Sequence, residues 1–293
     1  MKTLPPNKPV VLDNETCPYC GVCLDQENST KEHVIGRRFV PKGKFDSSWN
    51  LIVRACRECN RRKSDLEDDL SAVTMQPDSA GQFAREDQVL VAEATRKAAE
   101  SISRRTRKPV SESSEVIKIR SSAVPGINLT FTLIGSPQVD DRRAFELASL
   151  QLSGFFYWIT FNREQRRGRF WLGGCHGVNL APRSDWGNPV QRAFMNAIAE
   201  WESRMLGVAA DGYFKAAIRR HPEDACWSWA LEWNESLRLI GFFGEQACAE
   251  SVLHQFPETN GSVIGQCGGN RLRFRSEVCL LPGDDVLFSA EPG

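Results

Sequence analysis

The sequence predicts an α+β protein built from two domains. The chain has 293 residues, which is long for one domain and short for three. Strand-like and helical stretches are mixed in its second half, and five of its ten cysteines fall within the first 59 residues. These observations divide the chain into a cysteine-rich N-terminal domain (residues 1–75), a helix and linker (76–115) and a C-terminal α+β domain (116–293).

The composition is that of an ordinary globular protein, with 41% hydrophobic and 25% charged residues. Lys and Arg together number 37, as do Asp and Glu, so the formal net charge is zero and a wholly cationic nucleic-acid binder is excluded. No apolar run approaches the roughly 18 residues of a membrane helix, and the first residues lack the apolar core of a signal peptide. We therefore expect a cytoplasmic protein without membrane contact, with its thiols kept reduced.

Two segments connect the expected domains. From about residue 83 to 108, apolar residues recur at intervals of three and four, which predicts one long helix. Residues 109–115, with the sequence PVSESSE, are rich in Pro and Ser and predict a linker.

The C-terminal domain shows both strand and helix patterns. Strands are expected at residues 116–120, 128–135, 226–233, 237–244 and 271–281, and helices at about 140–158 and 189–206. In the strand beginning at Cys226, alternation places Trp227, Trp229 and Trp233 on one face, which favours a buried core face over a surface for base stacking. The five cysteines beyond residue 59 are scattered singly and indicate ordinary buried thiols. His221 and His254 have no partner that the sequence identifies.

The strongest motif in the sequence is a pair of Cys-x-x-Cys turns, CPYC at 17–20 and CREC at 56–59. Two such turns supply four thiolates to one tetrahedral zinc ion, so Cys17, Cys20, Cys56 and Cys59 are the expected ligands. Four protein ligands leave no open coordination position, and the expected zinc is therefore structural. In so short a segment the metal replaces part of a hydrophobic core.

The residues between and after these turns carry a family resemblance. The order Glu-His-Val-Ile, Asn-Leu and Cys-x-x-Cys-Asn-x-x-Lys is similar to that of the zinc-bearing HNH endonucleases. The stretch NRRKSD also resembles the end of the HNH nuclease domain in RNA-guided CRISPR effectors. The similarity covers about residues 17–69, and no resemblance is found for the rest of the chain. It implies a ββα-metal fold in which His33 ends the first strand, Asn50 lies in a loop, and Asn60 and Lys63 lie on the helix.

The resemblance also implies an activity, the metal-dependent hydrolysis of DNA phosphodiester bonds. His33 would be the general base, since the pKa of imidazole is close to neutrality. Glu32 and Asn60 offer hard oxygen ligands, which suit one Mg²⁺ ion that keeps several waters. Asn50 would orient the catalytic loop, and Lys63 would contact a phosphate.

One position departs from the family's name. Asn60 stands where the last histidine of an HNH motif is expected, and such variants occur among the proteins that this sequence resembles. An oxygen ligand in place of imidazole favours Mg²⁺ or Mn²⁺ over zinc at the catalytic position. By family analogy alone, a nuclease of this size suits prokaryotic antiviral defence or a mobile element.

Local charge agrees with a polyanionic substrate. Between residues 31 and 63 there are ten Lys or Arg and three Asp or Glu, although the whole chain is neutral. Such a concentration of positive charge around the expected active site suits a phosphate backbone. The expected nucleic-acid contacts are Arg37, Arg38, Arg61 and Arg62.

Other interpretations remain open at this stage. A zinc-ribbon-like module could hold nucleic acid or a protein without cutting it, using the same four thiolates and the same basic face. RNA is an alternative substrate. The C-terminal domain could select the DNA target, gate the nuclease, or bind a protein partner or a second copy of the chain, and the sequence does not decide among these roles.

Overall fold

The N-terminal part is built on a hairpin followed directly by a helix. The computed structural model describes residues 8–76, 88–124, 127–137, 139–258, 262–267 and 270–288. The N-terminal strands and helix in chain order are β1 (Val10–Val11), β2 (Ser29–His33), β3 (Leu51–Cys56) and α1 (Arg57–Thr74). Strands β2 and β3 are antiparallel, and β1 pairs in parallel with the other edge of β3. The expected order of two strands and a helix is therefore present.

The connecting segment differs from its prediction. Helix α2 covers Gln88–Glu100, so the predicted helix ends earlier than residue 108; its first five predicted residues lie outside the described ranges. After α2 the chain turns at Arg107, whose φ is 60°, and then buries Val110 completely. The predicted linker is thus packed against the protein, because Val110 contributes to a small core with residues of α1 and α2.

A four-stranded antiparallel sheet follows the connecting segment. Its members are β4 (Ser114–Val124), β5 (Ile127–Pro137), β11 (Ser262–Cys267) and β12 (Asn270–Phe274). They lie in the order β12-β11-β4-β5. Strands β4 and β5 contain the two strands predicted for this region, whereas β12 ends earlier than predicted.

A five-stranded antiparallel sheet forms the centre of the C-terminal part. Its members are β6 (Gly174–Pro182), β7 (Glu202–Ala209), β8 (Phe214–Arg220), β9 (Cys226–Trp233) and β10 (Leu237–Gly244). They lie in the order β6-β10-β9-β8-β7. The predicted hairpin of β9 and β10 is confirmed, and the alternating tryptophans of β9 belong to the main core.

Three helices flank this sheet. They are α3 (Asp141–Ile159), α4 (Pro189–Ala197) and α5 (Gln246–Leu253). Helix α3 begins where predicted, because the Asp140 carboxylate accepts a hydrogen bond from the Arg143 backbone N–H. Helix α4 ends earlier than predicted, since Glu202 already pairs with Arg220 in the sheet. No helix in the described ranges is both long enough and apolar enough to cross a membrane.

The main hydrophobic core extends from the N-terminal part into the C-terminal part. The Trp49 ring packs edge-on against Phe155 of α3, and its indole N–H donates to the Val208 carbonyl at 2.7 Å. Phe39 packs against Trp233 of β9 in the same way. One cluster of buried side chains therefore includes residues from β3, α1, α3 and the five-stranded sheet. The architecture is mixed α+β, as predicted.

Candidate metal and catalytic site

The four predicted zinc ligands converge at the start of α1. The sulfur atoms of Cys17, Cys20, Cys56 and Cys59 all lie within 4.8 Å of one another. Cys56 immediately precedes α1 and Cys59 lies in its first turn, so a bound ion would anchor this end of the helix. Tetrahedral zinc with four thiolates fits such a cluster. Cys23, which also lies near the first turn, is exposed and outside the cluster.

Local backbone geometry explains how the first pair of sulfurs is presented. The chain reverses after Cys20, where Gly21 takes a φ of 78° and donates its N–H to the Cys17 carbonyl at 2.9 Å. Glycine adopts this left-handed conformation without the strain that a side chain brings. Burial raises the pKa of the Cys17 thiol to about 11. A bound cation would favour the thiolate form of Cys17 that zinc coordination requires.

Asn50 holds the chain just beyond the predicted general base. Its side-chain amide donates to the Ile35 carbonyl at 2.7 Å, and its oxygen accepts the Ile35 N–H at 3.3 Å. Both partners are buried. His33 ends β2, two residues before Ile35, as predicted. Asn50 therefore positions the loop that follows His33, which is the role implied by the resemblance.

The His33 imidazole is half-buried at the end of its strand. Burial lowers the pKa of His33 below its ordinary value, and the positive charges of Lys31, Arg37 and Lys63 lower it further. The imidazole is therefore neutral near pH 7, the form in which it can accept a proton. Within the described part of the chain, no hydrogen bond to its ring nitrogens is found.

Glu32 and Lys63 form a buried ionic network behind the hairpin. The Lys63 ammonium lies 2.8 Å from Oε1 of Glu32 and 2.6 Å from Oε1 of Glu67, and it donates to the His33 carbonyl at 3.0 Å. Tyr19 donates its hydroxyl to the same Glu32 oxygen at 3.3 Å. Burial lowers the pKa of Lys63, but the two carboxylates outweigh it and hold this pKa above the ordinary value.

This network changes the interpretation of Lys63. Its side chain is 1% exposed, so the ammonium does not reach a phosphate in solution, and the predicted phosphate contact is not formed in this geometry. The spacing of three residues predicts that Lys63 and Asn60 share one face of the helix. Asn60 is partly exposed on that face, whereas Lys63, one turn further on, is buried against Glu32 of β2. Lys63 instead fixes the carboxylate of Glu32 and the backbone of His33.

Asn60 lies one turn before Lys63 at the edge of a large groove. Its amide is partly exposed, and within the described ranges no side-chain hydrogen bond engages it. The groove has a volume of about 1460 Å³ and is bounded by α1, by α2 and by the loop after β2. Arg37, Arg38 and Arg61 line it together with Asn60. The Glu93 carboxylate of α2 accepts the backbone N–H of Lys42 in that loop, and this contact joins two sides of the groove.

Arg62, the fourth predicted nucleic-acid contact, points away from this groove. Its guanidinium donates to Glu146 of α3 at 2.6 Å. The Arg62 side chain is mostly exposed, and the ion pair joins α1 to α3. The structure thus brings three of the four predicted arginines to one surface.

Two residues of the site escaped the sequence analysis. Glu67 shares the Lys63 ammonium and also accepts the Gly36 N–H at 3.0 Å. Its spacing of four residues from Lys63 was the available signal. Tyr19 lies inside the first Cys-x-x-Cys turn, and nothing in the sequence links it to Glu32.

Comparison of the chain with known proteins adds no further assignment. No family model, no curated protein and no solved structure matches it significantly. The chemistry of this site therefore has to be argued from its own residues.

Proposed function

We propose that this protein is a metal-dependent endonuclease of the HNH type that hydrolyses phosphodiester bonds in DNA. The observation that carries the proposal is that His33 ends a strand, Asn50 holds the loop after it, and Asn60 lies on the helix that follows the hairpin. Burial and nearby positive charges lower the pKa of His33, and the Asn60 amide is partly exposed.

In this mechanism His33 removes a proton from the attacking water. A neutral imidazole is the form that accepts this proton, and burial, together with the positive charges around His33, lowers the pKa of His33 and so favours this form. Asn50 holds the backbone two residues further on, which limits movement of the base. Lys63 binds the His33 carbonyl and restrains the strand end from the other side.

Glu32 and Asn60 are the residues that would hold a catalytic Mg²⁺ or Mn²⁺ ion. Such an ion supplies Lewis-acid stabilisation of the charge that develops on the phosphate. Carboxylate and amide oxygens are the ligands that suit these metals.

The basic residues of the groove would bind the DNA backbone. Arg37, Arg38 and Arg61 lie along the groove beside Asn60, so a phosphate chain held by them would pass Asn60. Contacts of this kind position a substrate without reading its sequence. The reduced thiols of the zinc cluster suit a cytoplasmic location, where such thiols persist.

Plasmid cleavage by the full-length protein tests this function. Wild type, His33→Ala and His254→Ala are incubated with supercoiled DNA, with Mg²⁺, with Mn²⁺ or without added divalent metal. Wild type and His254→Ala are expected to nick or linearise the plasmid only with added metal. His33→Ala should lose about 10²-fold or more of this rate, the usual contribution of a general base. Its circular dichroism and zinc content should remain unchanged.

Other outcomes would contradict this assignment. Equal cleavage by wild type and His33→Ala would exclude His33 as the base. Loss of bound zinc in His33→Ala would make His33 a structural residue. Faster cleavage of labelled RNA than of DNA of the same length would change the substrate.

A non-catalytic binding module is the second candidate. One observation favours it: the Glu32 carboxylate already has an ammonium partner in Lys63. Under this alternative the groove holds nucleic acid or an acidic protein segment and nothing is cut. Salt-sensitive DNA binding by wild type, without cleavage under any metal condition, would favour this function over the nuclease.

A further inference from the structure

A second group of metal-ligating side chains lies at one end of the five-stranded sheet. His221 follows β8, Asp224 lies in the turn before β9, and Cys248 lies in α5. One ligand atom from each residue lies within 4.8 Å of those of the other two. Among the described residues, this group and the four-cysteine cluster are the two that meet this criterion.

A second thiol lies beside the group. Cys226, the first residue of β9, is fully buried near Cys248, but it is not one of the three residues whose ligand atoms all lie within 4.8 Å of one another. The group therefore offers one thiolate, one imidazole and one carboxylate, which are ligands that zinc accepts.

The contacts around His221 fix the position of its ring. Its Nδ1 accepts the backbone N–H groups of Asp224 at 3.0 Å and Glu223 at 3.3 Å. The Asp224 carboxylate oxygen lies 3.3 Å from the same nitrogen. Packing of the Trp201 ring edge-on against the imidazole fixes its orientation.

The backbone brings α5 to this place by a close approach. Gly244 has a φ of 106°, and a Cβ atom there would lie 2.2 Å from the Ala225 carbonyl oxygen. The next residue, Glu245, donates its N–H to that same carbonyl at 3.1 Å. Helix α5 starts immediately afterwards, so Cys248 is held near the turn that contains Asp224. The place of Cys248 in this group therefore depends on a glycine at position 244.

We propose that His221, Asp224 and Cys248 form a second site for a thiophilic divalent ion, zinc being the natural occupant. Thiolate and imidazole ligands select zinc over Mg²⁺ or Ca²⁺. The bound ion would tie the start of α5 to the turn between β8 and β9. The site is independent of the proposed nuclease, because none of its residues borders the groove.

The metal content of the purified full-length protein tests this site. Mass spectrometry of the elements should find about two zinc ions per chain in wild type, one for each cluster. Cys248→Ala and Asp224→Asn should each lower this content by one ion. His254→Ala, which removes an exposed histidine at the end of the same helix, should leave it unchanged. DNA cleavage need not be measured.

Several outcomes would overturn the proposal. One zinc ion per chain in wild type would do so, as would two ions in both Cys248→Ala and Asp224→Asn. A disulfide between Cys226 and Cys248, detected by intact mass and by resistance to alkylation without reductant, would make the pair a cross-link instead. Should Cys248→Ala fail to fold, Asp224→Asn carries the test, since its half-exposed side chain keeps the same shape.

Discussion

At the scale of single residues, Lys63 is the most consequential charge in the N-terminal part. Its ammonium is enclosed between Glu32 and Glu67, and all three side chains are largely buried. A buried ion pair adds little to the stability of the fold when it is compared with apolar residues that replace the whole group. Removing only one member is strongly destabilising, because the remaining charges stay buried without a partner of opposite sign.

We predict that Lys63→Met lowers the free energy of unfolding by about 3–5 kcal/mol at pH 7, the range found when a buried pair loses one partner. The loss should shrink as the pH falls. Burial already raises the pKa of Glu67, and without the ammonium this pKa rises further, so the folded state takes up a proton more readily than the unfolded state. Urea denaturation between pH 5 and pH 8 measures both effects.

Lys31→Met on β2, the strand that carries Glu32, is the matched control for this experiment. Lys31 is exposed, so its replacement should change the free energy of unfolding by no more than about 0.5 kcal/mol. A similar loss in both variants, or a loss in Lys63→Met that does not depend on pH, would contradict the buried network.

The residue scale also shows where sequence reasoning succeeds. Cys17 and Cys56 were found because the spacing within each Cys-x-x-Cys turn is a local property of the chain. The burial of Lys63 could not be predicted in this way, because helical spacing shows which residues share a face but not which other elements cover that face. Cys248 reaches Cys226 only through the packing of α5, so their proximity had no signal in the sequence.

At the scale of elements, helix α3 supports the loop after the predicted base. Gly154, in the middle of α3, faces Val34, the residue directly after His33. A Cβ atom at position 154 would lie 2.7 and 2.9 Å from the two methyl carbons of Val34. The helix therefore carries a residue of low helix propensity at the position where the loop packs against it.

We predict that Gly154→Ala destabilises the wild-type protein but stabilises the Val34→Ala variant. In wild type the added methyl overpacks the contact. In Val34→Ala the space is free, and the higher helix propensity of alanine contributes up to about 1 kcal/mol. Chemical denaturation of the four proteins of this double-mutant cycle gives the coupling, expected at about 0.5–3 kcal/mol. Additive effects would show that the two residues do not press on each other.

Element boundaries show a similar limit of sequence reasoning. Strands β9 and β10 were predicted at their observed positions, because alternation and a short turn are local signals. The end of α4 was not predicted, since residues after Ala197 stay partly apolar while the chain enters the sheet as β7. The fold of this region is decided by strand pairing between distant segments, which periodicity does not report.

At the scale of the whole molecule, the N- and C-terminal parts share one core. Besides the ring contacts of Trp49 and Phe39, the Asn234 side chain donates to the Phe39 carbonyl at 3.0 Å and to the Thr74 hydroxyl at 2.8 Å. Arg143 of α3 binds Asp65 and Asp69 of α1. The domain boundaries at residues 75 and 115 stay a prediction from the sequence. Buried side chains from before residue 75 and from after residue 115 belong to the same core cluster.

We predict that the two parts unfold in one transition. Hydrogen exchange at increasing denaturant, read by mass spectrometry, should show peptides from β3 and from β9 losing protection at the same denaturant concentration. The reason is the shared core, whose halves lose their packing together. Separate midpoints for the two peptides would show that the parts are independent folding units.

The position of the four-cysteine cluster at the first turn of α1 has a consequence for how this chain can change during evolution. One ion bound by Cys56 and Cys59 would fix the rotation of the helix about its axis. Inserting a single residue after Cys59 would then turn every later side chain by about 100° and carry Lys63 away from Glu32. Between the cysteines and the buried network, descendant sequences would tolerate an exchange of amino acids more readily than a change in the number of residues.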